Sequence, residues 1–518
     1  MHYVIAGHQC FEATSDLRDG LTLSQLVKEE VDAMAEDTLA RLDNELCFLT
    51  ALELRDRYRD RRLSPVEATE AVLRRIERLN PQLTAFVTVT ADLALEQARV
   101  AEREYAPGGS PGPLAGIPVS IKDLTPTRGI RTTRGSLLYE DWIPDEDAPF
   151  VERCYAAGAV MLGKTNTPEF GWKADTTNRI VGSTHNPWLY GRTAGGSSGG
   201  GAAAVAAGMG PLAQGSDGGG SIRIPGSLCG IFGLKPSFGL VPQYPPSAFG
   251  DLSHLGPMTR SVRDAALMLD ATAGGDPRDR LSWSSGVDYL AACDGDISQL
   301  RIAWSPDLGY ATVDSDVRDV TEKAARRFEE LGCQVEEMTP DLPRPDDIWW
   351  KMWASGNAAL HMEDLEQVRD RIDSGRLPMI EFGQALSGAE VAVQQIRRAA
   401  YYQGMQRFME QYDLLLTPTL ATTAFTAGET GPTEIGGKPM ETPGAWTPFC
   451  SAFNLTGQPA ATVPCGFDAV GLPIGLQIVG RWHDDATVLR AAAAFEALNP
   501  WSHLRPSFDG VGPSGPDA

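Results

Sequence analysis

Between about residue 115 and residue 240 the chain alternates short apolar runs with glycine clusters: GIPVSIKD, GAVMLGKT, TAGGSSGGG and GSDGGGSIRIPG. This texture reads as buried strands that deliver residues onto tight loops, with a small-residue helix over 202–208. The flanks supply helices. Ser64, Pro65 and Glu67 form a capping box with proline at the first helical position, and Ala68, Val72, Ile76 and Leu79 line one face. Further on, LRIAWSPD, a helix over 316–332 closed by Gly332, and CQVEEM make a βαβ unit. Another helix opens at Ser387 with Glu390 in the capping-box position. It carries Tyr401, Met405, Phe408 and Tyr412 on its apolar face and leads into the strand LLLTPTL. Residues 471–480 read as a strand or hairpin, and a last helix runs to about Leu498. The class is α/β.

At 518 residues the chain has room for two or three average domains, or for one large α/β domain with insertions. No long Pro/Ser linker divides it, which favours the second arrangement. The expected layout is an acidic, helical lead-in over 1–60, a single domain over 61–505 with an inserted substrate-pocket region around 300–445, and a mobile tail over 506–518. The formal charge of −23 argues against nucleic acid or an anionic membrane as the main partner. No basic start precedes an apolar run and nowhere do 18 apolar residues follow one another, so a cytoplasmic protein is expected. The eight cysteines are scattered without a CxxC and read as reduced, mostly buried thiols. Seven dispersed histidines show no HxxxH or HExxH, so local spacing gives no support to a metal site.

Three pieces carry chemistry. Lys122 closes the apolar run Ile117-Pro118-Val119-Ser120-Ile121, where desolvation disfavours the ammonium form and a neutral amine becomes available as a base. The plain alternative is a strand-end lysine snorkelling to water. Gly195-Gly196-Ser197-Ser198-Gly199-Gly200-Gly201 holds two hydroxyls in a backbone free to adopt unusual conformations; a flexible loop or a phosphate cradle reads the same way. Asp217-Gly218-Gly219-Gly220-Ser221 puts glycine N–H groups just before a serine, the arrangement that holds an oxyanion, though a glycine-rich turn looks alike.

Ordered as Lys, GGSSGG, DGGGS, with Ser197 and Ser221 standing 24 positions apart, these pieces closely resemble the amidase signature family. Weaker likeness continues through GKTNTPEF, NPWLYGRTAGG and FNLTGQPAATVPCG. The resemblance implies the amidase signature fold, a large mixed and mostly parallel sheet covered by helices on both faces. It implies Ser221 as nucleophile, Ser197 as a relay held in a cis peptide bond, and Lys122 as base. The N–H groups of Gly218, Gly219, Gly220 and Ser221 would form the oxyanion hole, with Ser198, Asp217 and Arg223 as the supporting polar shell. An acyl-enzyme route through these groups gives no task to a metal or organic cofactor. Many members carry Thr or Ile where this chain has Gly218, and Gly or Pro where it has Ala194; both departures bear on substrate preference. The implied substrate is a small or medium amide with an apolar or aromatic part: an anilide, carbamate or short oligoamide. Two rival readings keep the fold: the glutaminase subunit of a tRNA-dependent amidotransferase, and a catalytically silent binding protein. Members often dimerise, which makes a homodimer an expectation of the resemblance alone.

Three further features need weighing. Gly158 to Thr165 satisfies the phosphate-loop pattern GxxxxGK[ST], yet Ala159 to Leu162 is strand-like and Pro168 stands where a helix should continue. Ser221 lacks a GxSxG elbow, and His185, His254 and His361 give no sign of a histidine-based triad; they read as surface or hydrogen-bonded core residues. Trp349, Trp350 and Trp353 either line a hydrophobic acyl or aryl pocket or pack two faces of a helix.

Overall fold

Eleven strands join one sheet: β1 Phe86–Val89, β2 Pro118–Lys122, β3 Val160–Thr165, β4 Leu212–Asp217, β5 Phe232–Lys235, β6 His254–Thr259, β7 Arg301–Trp304, β8 Gln334–Glu337, β9 Leu414–Pro418, β10 Ala460–Phe467 and β11 Pro473–Gly480. The structure is a computed structural model that describes residues 43–440, 442 and 444–508, and these strands are counted among them. Across the sheet the order is β1-β3-β2-β4-β6-β5-β10-β11-β9-β7-β8. The sheet is mixed, as expected, but it is not mostly parallel. β2 runs parallel to β3 and β4, and β7 parallel to β9 and β8. The other six neighbouring pairs are antiparallel. An apolar run shows that both faces of a strand are covered; it does not encode direction. In the middle of the sheet short connections, such as 468–472 between β10 and β11, turn the chain straight back.

The longer helices are α1 Ala51–Arg59, α2 Pro65–Leu83, α3 Ala91–Glu104, α4 Pro149–Ala156, α5 Gly199–Ala206, α6 Arg223–Cys229, α7 Val262–Thr272, α8 Ser315–Arg326, α9 Asp346–Ala359, α10 Leu377–Ala385, α11 Gly388–Met409, α12 Ser451–Thr456 and α13 Asp485–Leu498. They cover both faces of the sheet. Leu414 and Leu416 of β9 enter a core shared with α4, α7 and α13, whereas Leu415 between them enters one shared with α9, α11 and α12. The capping boxes form at Ser64 with Glu67 and at Ser387 with Glu390. The small-residue helix starts earlier than expected, because its glycines are helical too. A β-carbon on Gly200 would overlap the backbone of Ala85 and Asn166, so bulk rather than propensity sets the residue there.

Residues 300–445 are not an insertion as a whole, since β7, β8 and β9 extend one end of the sheet. The stretch that leaves the sheet runs from α9 to α11. Of the lead-in, residues 1–42 lie outside the described residues. α1 is docked, with Ala51 and Leu52 N–H donating to the Asp264 carboxylate at 2.9 and 3.2 Å. The expected tail from 509 also lies outside them, and Phe508 packs near the Arg75 guanidinium.

Candidate active site

β2 and β4 are parallel neighbours, so their C-terminal ends reach the same edge of the sheet. Lys122 ends β2, and Ser216 and Asp217 end β4. The segment between them in the chain crosses this edge as the glycine loop that opens α5, bringing Ser197 and Ser198 alongside. Lys122 is fully buried, and its Nζ lies 2.8 Å from Ser197 Oγ, 2.8 Å from Ser198 Oγ and 2.9 Å from Ser216 Oγ. Burial drives the Lys122 amine well below the ordinary lysine range, against the opposing pull of the Asp217 charge. The Gly196–Ser197 peptide is cis. Ser221 sits on the turn between β4 and α6, and its carbonyl accepts from Ser198 N–H at 3.2 Å, which joins the two serine loops.

Asp217 anchors the turn. Arg223 donates Nη2–H and Nε–H to its two carboxylate oxygens at 2.9 and 3.0 Å, with both side chains fully buried. Burial pushes the Asp217 carboxyl up, but the Arg223 charge and the N–H donors outweigh it and hold it below the usual carboxylate range. Asn454 Nδ2–H and Gly220 N–H also donate to Oδ1, at 2.8 and 2.7 Å. The last contact corrects an expectation. The family resemblance gives Gly220 a share in the oxyanion hole with Gly218, Gly219 and Ser221, but its N–H is committed to a buried carboxylate. Its φ of +121° requires glycine.

The tryptophans divide. Trp349 and Trp353 of α9 lean on the glycine turn: Trp349 Nε1–H donates to the Gly218 carbonyl at 2.8 Å, and Phe249, Trp353 and Trp349 stack with ring centroids 3.8 and 5.2 Å apart. Trp350 does not belong with them. It is 39% exposed and faces Phe382, because one residue along a helix is a rotation of about 100°.

Lys164 of the phosphate-loop pattern lies in β3 and is buried, with Nζ donating to Thr127 and Thr132 hydroxyls at 2.9 and 3.0 Å, so no loop cradles a phosphate there. His254 is a core residue whose Nδ1 lies 2.9 Å from the Leu252 carbonyl; His361 lies 3.1 Å from Arg376 Nη1. Among the described residues seven cysteines are free, six of them buried. Among the described residues no group of three or more His, Cys, Asp and Glu is placed to hold a metal ion, and no helix is long and apolar enough to cross a membrane.

Sequence reasoning missed Ser216, the third hydroxyl on Lys122, and the remote partners of Arg223: Asn454 Oδ1 at 2.7 Å and Gln477 Oε1 at 2.8 Å. Asn454 lies in the FNLTGQP stretch that carries part of the family likeness; Gln477 is a polar residue inside a fully buried strand, and that isolation was its signal.

A mixed sheet with helices on both faces and a buried lysine among serines at one edge defines an amide hydrolase of the amidase signature class. The sequence model of the Amidase family matches residues 67–489, and the chain belongs to that family. It is 41% identical over 469 residues to an acylamidase of Rhodococcus erythropolis, covering 90% of this chain and 98% of that one. It is 38% identical over 498 residues to a glutamyl-tRNA(Gln) amidotransferase subunit of Moorella thermoacetica, covering 90% and 99%. Among solved structures, a bacterial aryl acylamidase of the amidase signature family superposes with a TM-score of 0.82 at 32% identity, over 88% of this chain and 97% of that one.

Proposed function

We propose that the protein hydrolyses small or medium amides with an apolar or aromatic part, by way of an acyl-enzyme on Ser221. The observation that carries this reading is Lys122 Nζ, fully buried and 2.8 Å from Ser197 Oγ. A neutral amine has two N–H bonds and one lone pair, and three hydroxyl oxygens surround it. Ser198 directs its own proton to the Ser216 carbonyl at 3.2 Å, so it accepts from Lys122. That leaves the lone pair for Ser197 or Ser216, and we assign it to Ser197, the relay position that the family resemblance implies.

In the forward step Ser221 Oγ bonds to the amide carbon and gives its proton to Ser197 Oγ, which passes its own to Lys122. The carbonyl π pair moves onto oxygen, and the N–H groups of Gly218, Gly219 and Ser221 are the donors left to meet it. The C–N bond then breaks as the proton returns through Ser197 to the departing nitrogen. Water repeats the sequence on the ester, releasing the acid and restoring Ser221. The half-buried Trp349 indole, backed by the buried Trp353 ring, offers apolar surface beside Gly219, which suits an aryl or alkyl group better than the charged backbone of glutamine. Anilides, carbamates and oligoamides all present such groups.

Turnover of p-nitroacetanilide and an aryl carbamate by the purified protein, abolished in Ser221→Ala, is the expected result. A fluorophosphonate should label Ser221 in the wild type. A panel of such substrates left intact by a well-folded wild type would sink the proposal. The 38% likeness to an amidotransferase component motivates a second reading: ammonia release from glutamine, with anilides untouched, would replace the first.

A further inference from the structure

Three successive glycines have no side chains to hold their peptide planes, yet an oxyanion hole needs those planes fixed before the charge develops. The turn after β4 is pinned from outside at both ends. At its far end the Asp217 carboxylate takes the N–H groups of Gly220 and Ile222 at 2.7 and 3.2 Å. At its near end Trp349 Nε1–H takes the Gly218 carbonyl at 2.8 Å. The Gly218–Gly219 peptide is trans, since the cis bonds of the described residues are Gly196–Ser197 and Tyr244–Pro245. In a trans peptide the N–H points opposite to the C=O. A carbonyl held toward Trp349 therefore turns the Gly219 N–H away from it.

We infer that Trp349 is a positioning residue for this reaction, fixing the Gly219 N–H as an oxyanion donor through its hydrogen bond to the Gly218 carbonyl. The inference rests on the acyl-enzyme reading above. Packing supports it. The Trp349 ring fills the space that a β-carbon on Gly219 would need, and the Trp353 ring lies 2.6 Å from where one on Gly218 would be. The contact is therefore built on the absence of side chains at 218 and 219, and helix and turn are fitted to each other. α9 is itself held over the site by Trp353 Nε1–H, which donates to the Trp172 carbonyl at 3.3 Å. Gly171, next to Trp172, abuts Ser197: a β-carbon there would lie 3.0 Å from Ser197 Oγ.

The test is Trp349→Phe, which keeps a ring against the turn and removes the N–H. With p-nitroacetanilide, kcat is expected to fall about ten-fold or more, short of the roughly 10²–10³ that follows loss of a donor itself, with KM nearly unchanged. The affinity of a trifluoromethyl ketone, which adds to Ser221 and places an oxyanion in the hole, should weaken by the same factor as kcat/KM. Trp350→Phe, on the exposed side of α9, should leave both parameters as in wild type. If Trp349→Phe unfolds, benzothienylalanine at 349 keeps the shape with sulfur in place of N–H, and the same loss is expected. Unchanged kcat and unchanged ketone affinity in a folded variant overturn the inference, as does a loss confined to KM. Wild type without Ser221-dependent turnover instead overturns the underlying reading, and this inference with it.

Discussion

Among the described residues three hydroxyls and no carboxylate touch Lys122 Nζ, so little offsets the cost of burying its charge. Its folded-state pKa is lowered well below 10.5, first by burial, with the Asp217 charge opposing. Between that lowered value and 10.5 the unfolded chain holds one proton more than the folded one at this site. The contribution of Lys122 to stability therefore rises with pH across the window. Urea unfolding of wild type and Lys122→Met should show a difference that shifts steadily in favour of wild type from neutral pH to about pH 10. The other buried lysines, Lys164 lowered to about 8 and Lys235 to about 7, cancel in the comparison. A flat difference would mean an ordinary, protonated lysine. In activity the same group should give kcat/KM an ascending limb far below pH 10.5. Lys122, Ser197 and Ser221 were legible because each stands in an unusual local setting, an apolar run or a glycine cluster. Ser216 was not, since a serine in a strand looks like any other. The fate of the Gly220 N–H was illegible for a different reason: every residue but proline has one, and its partner is chosen by the fold.

Elements were legible where their signals are local. Capping boxes at Ser64 and Ser387, the βαβ unit over β7, α8 and β8, and the last helix follow from side chains a few positions apart. Strand direction depends on connections, which is why the parallel share was overestimated. The α9 stripe lies between these cases. Trp349 and Trp353 are four apart and share a face, but Trp350 is three from Trp353, so spacing alone does not set it aside and its exposure does. That they would meet Gly218 and Gly219 was beyond sequence, because the meeting joins segments about 130 positions apart. It yields a reciprocal test. Gly218→Thr drives a β-carbon to 2.6 Å from the Trp353 ring and should destabilise by about 1–3 kcal/mol, the usual range for overpacking. Trp353→Ala opens the space, so the double variant should be more stable than the two single losses added together predict. Urea midpoints of the four proteins measure the coupling, and simple additivity would show that the ring and the glycine do not constrain each other.

At the scale of the whole molecule, the α9–α11 stretch has to stay registered against the sheet edge that carries Lys122 and Ser221. The fastening lies away from the reacting groups. Glu169, shortly after β3, pairs with Arg376 at the start of α10 at 2.9 Å, and both side chains are buried. Arg376 Nε–H also donates to Asn357 of α9 at 2.9 Å, and its guanidinium lies 4.5 Å from the centre of the Phe170 ring. Glu169, Phe170, Gly171 and Trp172 thus form one short strap between the helices and Ser197. No sequence pattern links residues 207 positions apart, so this pair became visible only through the fold. Glu169→Gln leaves the Arg376 charge buried without its counter-charge and should cost about 3–5 kcal/mol. Glu169→Met with Arg376→Met removes both charges and should recover most of that stability, because the desolvation of each ion disappears with it. Activity discriminates between a fastening and a mere stabiliser. If the strap registers α9 on the glycine turn, the doubly apolar variant will be stable yet show faster hydrogen exchange in α9 and a lowered kcat. If it regains wild-type kcat along with its stability, packing alone holds the helices in place and the ion pair has no part in aligning the site.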